Sequence, residues 1–416
     1  MDLYQLLKQI DYERLAGSSG EKKARTVFKG HLSSWGLEFF EEEFEMYAFD
    51  TGTATITTEE KEFKGLPLGL TKTAKVTGEL CFVENSELLF CQKGMFANKI
   101  ILTFTRSASL VERLKEENVL AVIYISQPYK DLSANNLRQK SCEDGTIPFM
   151  FVSYDDAKEL SRLHGKEITM EIKQNVKKKK AYNLIVDIPG TGKDQTLTCL
   201  CAHYDSVATS HGSNDNGAGS VILLKIAEYY SKNPPLRDLR IMFFSGEEMG
   251  LLGSYAYTEK HKEELKSRMG LLINVDVSGD DLGVDSFIAL ATNEIVGYVD
   301  GIFKEEGLLF NKKLDIYSSD CIPFSVLEIP SVNLMRWGGE ATYHIHTAGD
   351  TAEKVSQRGL ESTYLATRAL TDRLLNSIIY PVKKNIDPSL REKIEKYVFN
   401  SSKKEPKLEW RKKYEL

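Results

Sequence analysis

The stretch LRIMFFSGEEMGLLGS, residues 239–254, decides the fold of this chain. Its first six residues form a largely apolar run typical of a strand. Small residues surround the two adjacent glutamates that follow, Glu247 and Glu248. Side chains alternate across a strand, so neighbouring carboxylates at a strand end point in different directions. One can face a metal ion while the other faces a water molecule at that ion, which is the arrangement that a hydrolytic metal site requires.

Strands and helices alternate on both sides of this stretch, from Tyr182 to about residue 380. The alternation predicts an α/β sheet with helices on both faces. In such sheets, ligands gather at the carboxyl ends of the strands. The predicted strands are 183–188, 197–202, 239–244, 271–277 and 331–336, and the predicted helices are 218–232, 253–266, 293–306 and 359–379.

The pattern of apolar residues before residue 50 differs from the pattern between residues 50 and 180. Apolar residues at helical spacing within 3–10 predict a first helix, and the capping pair Ser18 and Glu21 begins a second. Residues 50–180 carry short β-rich runs instead. In that segment the predicted strands are 99–104, 120–125 and 147–153, and the predicted helices are 109–117 and 157–164.

These changes divide the chain into a main domain of residues 1–49 and 181–382, an inserted domain of residues 50–180, and a basic helical tail of residues 383–416. The run Lys177–Lys180 indicates a solvated connector that returns the chain to the main domain. The tail is predicted to hold one peripheral helix, 389–399, and a frayed end.

Bulk properties restrict the class of protein. A length of 416 residues favours two domains, and the net charge of −6 argues against nucleic acid as a partner. The longest apolar run, residues 118–125, is strand-sized, so no membrane span is expected. Residues 1–5 lack the pattern of a signal peptide, and the six cysteines form no Cys-x-x-Cys motif. A cytoplasmic location with reduced thiols is therefore expected.

Histidines and carboxylates recur where the predicted strands end. His203 and Asp205 leave the strand 197–202, and positions i and i+2 share one face of an extended chain. His203 could bind a metal ion while Asp205 orients it from behind, although a lone histidine is more often structural. Asp215, in GSNDNGAGS (212–220), could bridge two cations, but taken alone it is more typical of a helix cap.

Three further clusters carry carboxylates or histidines. Glu247 and Glu248 lie between apolar segments, which is a poor place for idle charge and favours a function. Asp276, inside an apolar strand, needs a partner, either a salt bridge or a metal ion. His344 and His346, two apart on a predicted loop, indicate metal binding or catalysis, and either could also be an ordinary pocket residue.

The donor set of these clusters is imidazole and carboxylate without thiolate. That set suits zinc, and less often manganese or cobalt. Two cations about 3.5–4 Å apart that share a bridging carboxylate would clamp a hydroxide and polarise a carbonyl.

In this order, the motifs resemble the co-catalytic zinc aminopeptidase family of the bacterial leucyl aminopeptidase type, which is related to glutamate carboxypeptidases and glutaminyl cyclases. Each motif alone is weak evidence for this resemblance. The five motifs in series, over residues 182–380, are specific evidence for it. The resemblance implies the mixed, mostly parallel sheet of a zinc exopeptidase. The matching motifs are His203-x-Asp205, Asn214-Asp215-Asn216-Gly217-Ala218-Gly219, Glu247-Glu248-x-Gly250-Leu251-x-Gly253-Ser254, Asn274-Val275-Asp276 and His346-Thr347-x-x-Asp350-Thr351.

The resemblance also implies roles for these residues. His203 and Asp276 would bind one Zn²⁺, Glu248 and His346 the other, with Asp215 between them. Asp205 would support His203, and Glu247 would be the general base. His346 is preferred to His344 because the threonine and aspartate that follow it fit the final motif, and His344 or Tyr343 could instead polarise the substrate carbonyl.

Two other regions carry the resemblance. The insert, through residues 99–125 and 147–153, resembles a protease-associated domain. Residues 319–330 resemble a segment that often has histidine where Cys321 stands and glycine where Glu328 stands. These departures concern pocket shape and substrate preference rather than the ligands.

The implied activity is a di-zinc metallo-exopeptidase that hydrolyses the N-terminal peptide bond of peptides. A water molecule between the ions would lose its proton to Glu247, which would then protonate the leaving amine. A free α-amino group near one zinc would restrict cleavage to the first residue of the substrate.

Three alternatives stay open. A carboxypeptidase or amidohydrolase needs a cationic pocket for a substrate carboxylate, for which Arg336 beside Trp337 is the candidate. A glutaminyl-cyclase-like acyltransferase predicts one zinc rather than two. A receptor that uses the insert as a binding module is disfavoured because the proposed ligands and base are all present.

Overall fold

The computed structural model describes residues 1–84, 94–105 and 113–402. They form an eight-stranded sheet and a closed seven-stranded barrel. The strands are β1 (Phe39–Phe49), β2 (Thr53–Thr57), β3 (Glu62–Pro67), β4 (Ala74–Val83), β5 (Lys99–Thr103), β6 (Ala121–Ile125), β7 (Phe149–Val152), β8 (Glu167–Lys173), β9 (Val176–Ile188), β10 (Leu197–His203), β11 (Leu239–Phe244), β12 (Met269–Val275), β13 (Val284–Leu290), β14 (Asn311–Leu314) and β15 (Ser331–Trp337).

Helices flank the sheet and connect its strands. Two of the helices, one of four residues and one of eight, lie among the connections of the barrel. The helices are α1 (Leu3–Lys8), α2 (Ser19–Ser34), α3 (Ser141–Asp144), α4 (Tyr154–Ser161), α5 (Ala218–Lys232), α6 (Leu252–Lys260), α7 (Lys262–Arg268), α8 (Asn293–Glu305), α9 (Cys321–Ser325), α10 (Glu340–His344), α11 (Gln357–Asn376) and α12 (Pro388–Ser402).

The sheet is parallel at its centre and has antiparallel pairs on both sides of that centre, while the edge pair of β13 and β14 is parallel again. Its order is β1-β9-β11-β10-β12-β15-β13-β14. β10 pairs in parallel with β11 and β12, and β12 pairs in parallel with β15. β9 pairs with β11 in antiparallel fashion, and β13 pairs with β15 in the same way. Every residue of β10, β11 and β12 is buried, because helices cover both faces. The predicted α/β fold, with its mixed and mostly parallel sheet, is confirmed.

Two hydrophobic clusters lie on opposite faces of the sheet, as the alternation of side chains along each strand requires. One contains residues of α1, α2, α5, α8 and α11 together with Leu200 and Ile241. The other contains residues of α6, α7, α9 and α12 together with Cys201 and Met242. The two clusters hold the carboxyl ends of the central strands in fixed positions.

The N-terminal helices agree with the sequence pattern. Leu3, Leu6 and Leu7 are buried in α1. Ser18 precedes α2, and its Oγ accepts a hydrogen bond from the backbone N–H of Glu21 at 3.2 Å. The predicted capping pair therefore begins the second helix.

The barrel contains β2 to β8 in the order β2-β3-β7-β6-β5-β4-β8. Its interior is apolar, with Ile56, Leu80, Ile123 and Met170 in one buried cluster. The chain enters it after β1 and leaves it before β9, and these two strands pair along their whole length.

The prediction that Lys177–Lys180 is a connector is wrong. The four lysines are exposed, as expected, but they lie in β9 and pair with β1. Lys180 Nζ lies 2.7 Å from Glu43 Oε1 of β1. Cross-strand pairing with the acidic strand β1 allows a run of like charges to form a strand, and the sequence analysis did not predict β1.

The tail helix is not peripheral. α12 runs from Pro388 to Ser402, and its residues Leu390 and Ile394 are buried in the cluster beneath the sheet. The predicted frayed end after residue 402 lies outside the described residues.

Two other helix predictions differ from the structure. The predicted helix 253–266 is divided at His261 into α6 and α7. The predicted helix 109–117 lies partly outside the described residues, which resume at 113. Over the part of the chain that the structure describes, no helix is both long enough and apolar enough to cross a membrane.

Candidate active site

The predicted site residues lie at the carboxyl edge of the central strands. His203 is the last residue of β10, Asp276 directly follows β12, and Glu247 and Glu248 follow β11. Because these three strands are parallel neighbours, their carboxyl ends lie side by side. Asp215 reaches the same edge from the turn before α5.

The structure brings the five predicted ligands into two groups that share one residue. The Nε2 atom of His203 lies 3.2 Å from Asp215 Oδ1 and 3.5 Å from Asp276 Oδ1. The Nε2 atom of His346 lies 3.2 Å from Asp215 Oδ2 and 3.2 Å from Glu248 Oε2. Asp215 therefore presents one oxygen to each group, and each group could bind one cation.

The donor atoms fit divalent cations. His203, Asp215 and Asp276 are all less than a tenth exposed. The buried Oε1 atom of Glu248 accepts no hydrogen bond from the described residues, and an unpartnered buried carboxylate oxygen is costly. A cation in each group would give these oxygens a partner and offset the repulsion among the carboxylates.

The crowded carboxylates shift the proton affinities of the site. Burial favours the neutral ring of His203, but Glu247 and the other carboxylates raise its pKa well above the usual range. The Glu248 carboxylate likewise raises the pKa of His346. Burial opposes the charge of Asp215, yet its contacts with the two imidazoles lower its pKa. Such opposed shifts within one cleft are typical of functional sites.

Asp205 supports the site in two ways. Its Oδ1 atom lies 3.5 Å from His203 Nδ1, on the side of the ring away from Asp215. It also accepts the backbone N–H groups of Glu247 at 3.2 Å and Glu248 at 3.3 Å. The sequence analysis predicted the first contact and not the second.

Asp350, from the last motif, has a similar role for Asp215. Its carboxylate accepts the backbone N–H groups of Asn214 at 2.8 Å and Asp215 at 3.1 Å. Asn214 Oδ1 in turn accepts the backbone N–H of Gly279, just beyond Asp276. The turn that carries Asp215 is thereby fixed to two neighbouring loops.

Comparison with known proteins agrees with this geometry. The profile of the family described as Peptidase family M28 matches residues 183–371, which contain all five candidate ligands together with Asp205 and Glu247. Over these residues the chain is similar to peptidase family M28.

Relatives and solved structures of similar architecture cover most of this chain. Aminopeptidase YwaD of Bacillus subtilis is 24% identical over 383 residues, which are 84% of this chain and 78% of the relative. Leucine aminopeptidase 2 of Trichophyton equinum is 23% identical over 397 residues, 86% of this chain and 78% of the relative. The structure of BSAP, a zinc aminopeptidase from Bacillus subtilis, has a TM-score of 0.76 at 21% identity and covers 93% of this chain and 98% of its own.

The two candidate ligand groups open into a cleft of about 350 Å³. Its walls include Leu251, Val277 and Ile345, and two tyrosines that the sequence analysis missed, Tyr317 and Tyr397. Tyr317 lies next to the motif segment 319–330, so its position was a usable signal. Tyr397 comes from α12, and nothing in the local sequence connects that helix to the site.

Two residues proposed from the last motif face elsewhere. Tyr343 is 44% exposed, and its hydroxyl donates to the backbone carbonyl of Pro128 at 3.1 Å. His344 packs against the ring of Tyr343. Neither is among the described residues that line the cleft.

The candidate cationic residue, Arg336, is also turned away from the cleft. Arg336 Nη1 lies 3.0 Å from Asp285, and its other nitrogens donate to the backbone carbonyls of Asp280 and Asp281. Arg336, the candidate for the carboxypeptidase alternative, is therefore not placed to bind a substrate carboxylate in this cleft. Among the described residues that line the cleft, there is no lysine or arginine.

The two departures from the family pattern have different structural settings. Cys321 begins α9 and is buried, and burial raises the pKa of its thiol to about 12. Glu328 adopts a φ of 59°, in the left-handed region that favours glycine. Its carboxylate lies 3.4 Å from Arg391 of α12.

Proposed function

We propose that this chain is an aminopeptidase that uses two zinc ions to hydrolyse the N-terminal peptide bond of peptides. The observation that carries the proposal is the pair of donor groups that share Asp215. The curated relatives and the solved structure named above as aminopeptidases support the choice of reaction and of zinc, and the imidazole and carboxylate donors suit that ion. Manganese and cobalt are the alternatives for the same donors.

The two donor groups support an assignment of the ligands. His203 and Asp276 would hold one ion, Glu248 and His346 the other, and Asp215 would contribute one oxygen to each. When bound, such a pair of ions supplies Lewis acidity at the substrate carbonyl and lowers the pKa of water.

Glu247 has the position of a general base. It lines the cleft and belongs to neither ligand group, and its Oε2 atom lies 3.9 Å from His203 Nε2. Burial raises the pKa of Glu247 well above the usual range. A raised pKa favours a carboxylate that takes a proton from the attacking water and then gives it to the leaving amine.

The charges of the cleft favour an aminopeptidase over a carboxypeptidase. A carboxypeptidase needs a cation for the substrate carboxylate, and the described lining residues offer none. Two complete donor groups likewise favour the two-ion peptidase over the glutaminyl-cyclase alternative.

The first experiment is an assay of aminoacyl anilides against the same anilides with a blocked amino group, with zinc measured per chain. We expect hydrolysis of the free amino forms alone and two zinc ions per chain. Equal hydrolysis of blocked substrates, or a single zinc ion, would contradict the proposal.

The adjacent glutamates provide a matched pair of variants. Glu247→Gln should retain both ions and lose activity by about 10²–10⁴-fold, since it removes proton transfer alone. Glu248→Ala should lose one ion as well, because it removes a ligand. Activity assays combined with metal analysis distinguish the two, and equal metal loss in both variants would sink this assignment of roles.

A further inference from the structure

The two donor groups differ in what supports them. His203 ends β10, and Asp276 extends the ladder of β12 by donating its backbone N–H to Leu334 at 3.0 Å. Both side chains are buried within the sheet edge. Glu248 and His346 lie on loops instead, and the side chain of His346 is 37% exposed.

Both loops contain backbone with positive φ. His346 has a φ of 61°, which is strained for a residue with a side chain. The loop of Glu248 is flanked by Gly246 and Gly250, which have φ values of 70° and 106°. Glycine backbone is conformationally permissive, so contacts that hold the backbone carbonyls of these loops add to the support that Asp205 gives the backbone N–H groups of Glu247 and Glu248.

Segment 128–138, which follows β6 of the barrel, supplies those contacts. The backbone N–H of Ala134 donates to the carbonyl of His346 at 2.8 Å. The side-chain amide of Asn136 donates to the carbonyl of Glu248 at 2.6 Å. One stretch of the barrel connections thus touches both loop-borne ligands of the same donor group, through their backbone carbonyls.

The segment is itself anchored at both ends. Leu137 donates to the carbonyl of Gly69, and Gly69 donates to that of Asn135, each at 2.8 Å. At the other end, the carbonyl of Pro128 accepts the hydroxyl of Tyr343 at 3.1 Å. A segment fixed in this way can hold the two loops at a constant separation.

We propose that segment 128–138 braces the donor group of Glu248 and His346, so that Asn136 is a positioning residue for one of the two metal ions. The proposal rests on the two-ion function proposed above. It implies that the ion at Glu248 and His346 is released faster than the ion at His203 and Asp276. It also implies that the contacts from the barrel segment set the rate of that release.

The test is release of zinc from the loaded full-length protein to a chromophoric chelator. The wild type should release its two ions in two kinetic phases. Asn136→Ala should accelerate one phase roughly tenfold, as expected for loss of an interaction that orients a ligand, and leave the other unchanged. Asn135→Ala is the matched control, because Asn135 contacts Gly69 through its backbone carbonyl, and it should release zinc as the wild type does.

A second variant keeps the test independent of folding defects. Tyr343→Phe removes the hydroxyl contact with Pro128 from an exposed side chain, and it should accelerate the same phase about twofold. If the folded variants release zinc faster in both kinetic phases, or in neither, the proposal that segment 128–138 positions these ligands is wrong. A wild type that binds fewer than two ions would instead contradict the proposed function.

Discussion

Arg14 is a fully buried positive charge that contacts backbone rather than a carboxylate. Its guanidinium donates to the backbone carbonyls of Ile10 and Tyr204 at 2.7 Å, and of Gly212 at 2.8 Å. These bonds join the N-terminal helices to the loops on either side of the site, after β10 and before Asp215. Burial lowers the pKa of Arg14, while Asp350 and Asp205 act in the opposite direction.

Replacing Arg14 by methionine should destabilise the protein strongly. The variant leaves several buried carbonyls without a donor, and the loss should be about 3–5 kcal/mol in the free energy of unfolding. Urea unfolding measures it. Arg358→Met, at an exposed position of α11, is the control and should change stability by less than about 0.5 kcal/mol. A loss at Arg14 no larger than at Arg358 would refute this account.

Glu228 provides a prediction of pH dependence away from the metal ligands. Partial burial opposes its charge, but hydrogen bonds from Lys225 and Lys232 lower its pKa from 4.5 to about 2. The folded state therefore binds the proton less well than the unfolded state. The stabilisation is present in full above pH 4.5 and is lost as the pH falls through about 2.

Glu228→Gln should accordingly be less stable than the wild type by about 0.5–1 kcal/mol at pH 6, the value of two helical ion pairs. The difference should vanish near pH 2. Thermal melts across this range measure it, with Glu353→Gln, an exposed glutamate, as control. If the stability difference between the wild type and Glu228→Gln grows as the pH falls, the predicted effect of Glu228 protonation on stability has the wrong sign.

At the scale of elements, α12 links the C-terminal region to the cleft. Ile394 is fully buried beneath the sheet, and Tyr397, one turn further on, lines the cleft with its hydroxyl 2.5 Å from Ser318 Oγ. The helix is thus part of both the hydrophobic core and the wall of the cleft.

Ile394→Asp should release α12 from the sheet, because an unpaired buried carboxylate is very costly. We expect a loss of about 3 kcal/mol or more in stability and faster proteolytic cleavage near residue 388. The activity on aminoacyl anilides should fall as well, since Tyr397 leaves the cleft. Glu392→Ala, on the exposed side of the same helix, should behave like the wild type, and if it is cleaved as fast as Ile394→Asp, the packing argument fails.

Elements with strong local patterns were predictable from the sequence. The strand 239–244 and the helix 218–232 have the predicted limits, because burial on all sides or on one face leaves a clear hydrophobic pattern. β1 and the lysine run of β9 were not predictable. Each of these segments looks solvated by itself, and only their pairing makes them strands.

At the scale of the whole molecule, the candidate site depends on cations to offset its own charge. The carboxylates Asp215, Glu248 and Asp276 lie together in a buried cluster with few compensating charges. Ions that bind only the folded state stabilise it by mass action.

Removal of metal should therefore lower the melting temperature. Each ion at about 1,000 times its Kd contributes about 4 kcal/mol, which for a chain of this size corresponds to roughly 5 °C. Calorimetry in chelator and in zinc measures the shift. His346→Ala should show about half of it, and identical melting with and without chelator would argue against bound ions.

The sequence by itself determined the α/β fold and proposed the five donors, since strand ends, glycine-rich turns and buried charges are local features that a linear pattern displays. The assignment of the insert to a protease-associated domain stays a prediction. Only the tertiary structure decided that Asp215 divides its oxygens between two groups, that Arg336 faces away from the cleft, and that Tyr397 and Asn136 reach the site. These are contacts between residues far apart in the chain, set by how helices and barrel pack on the sheet, and no local pattern encodes them.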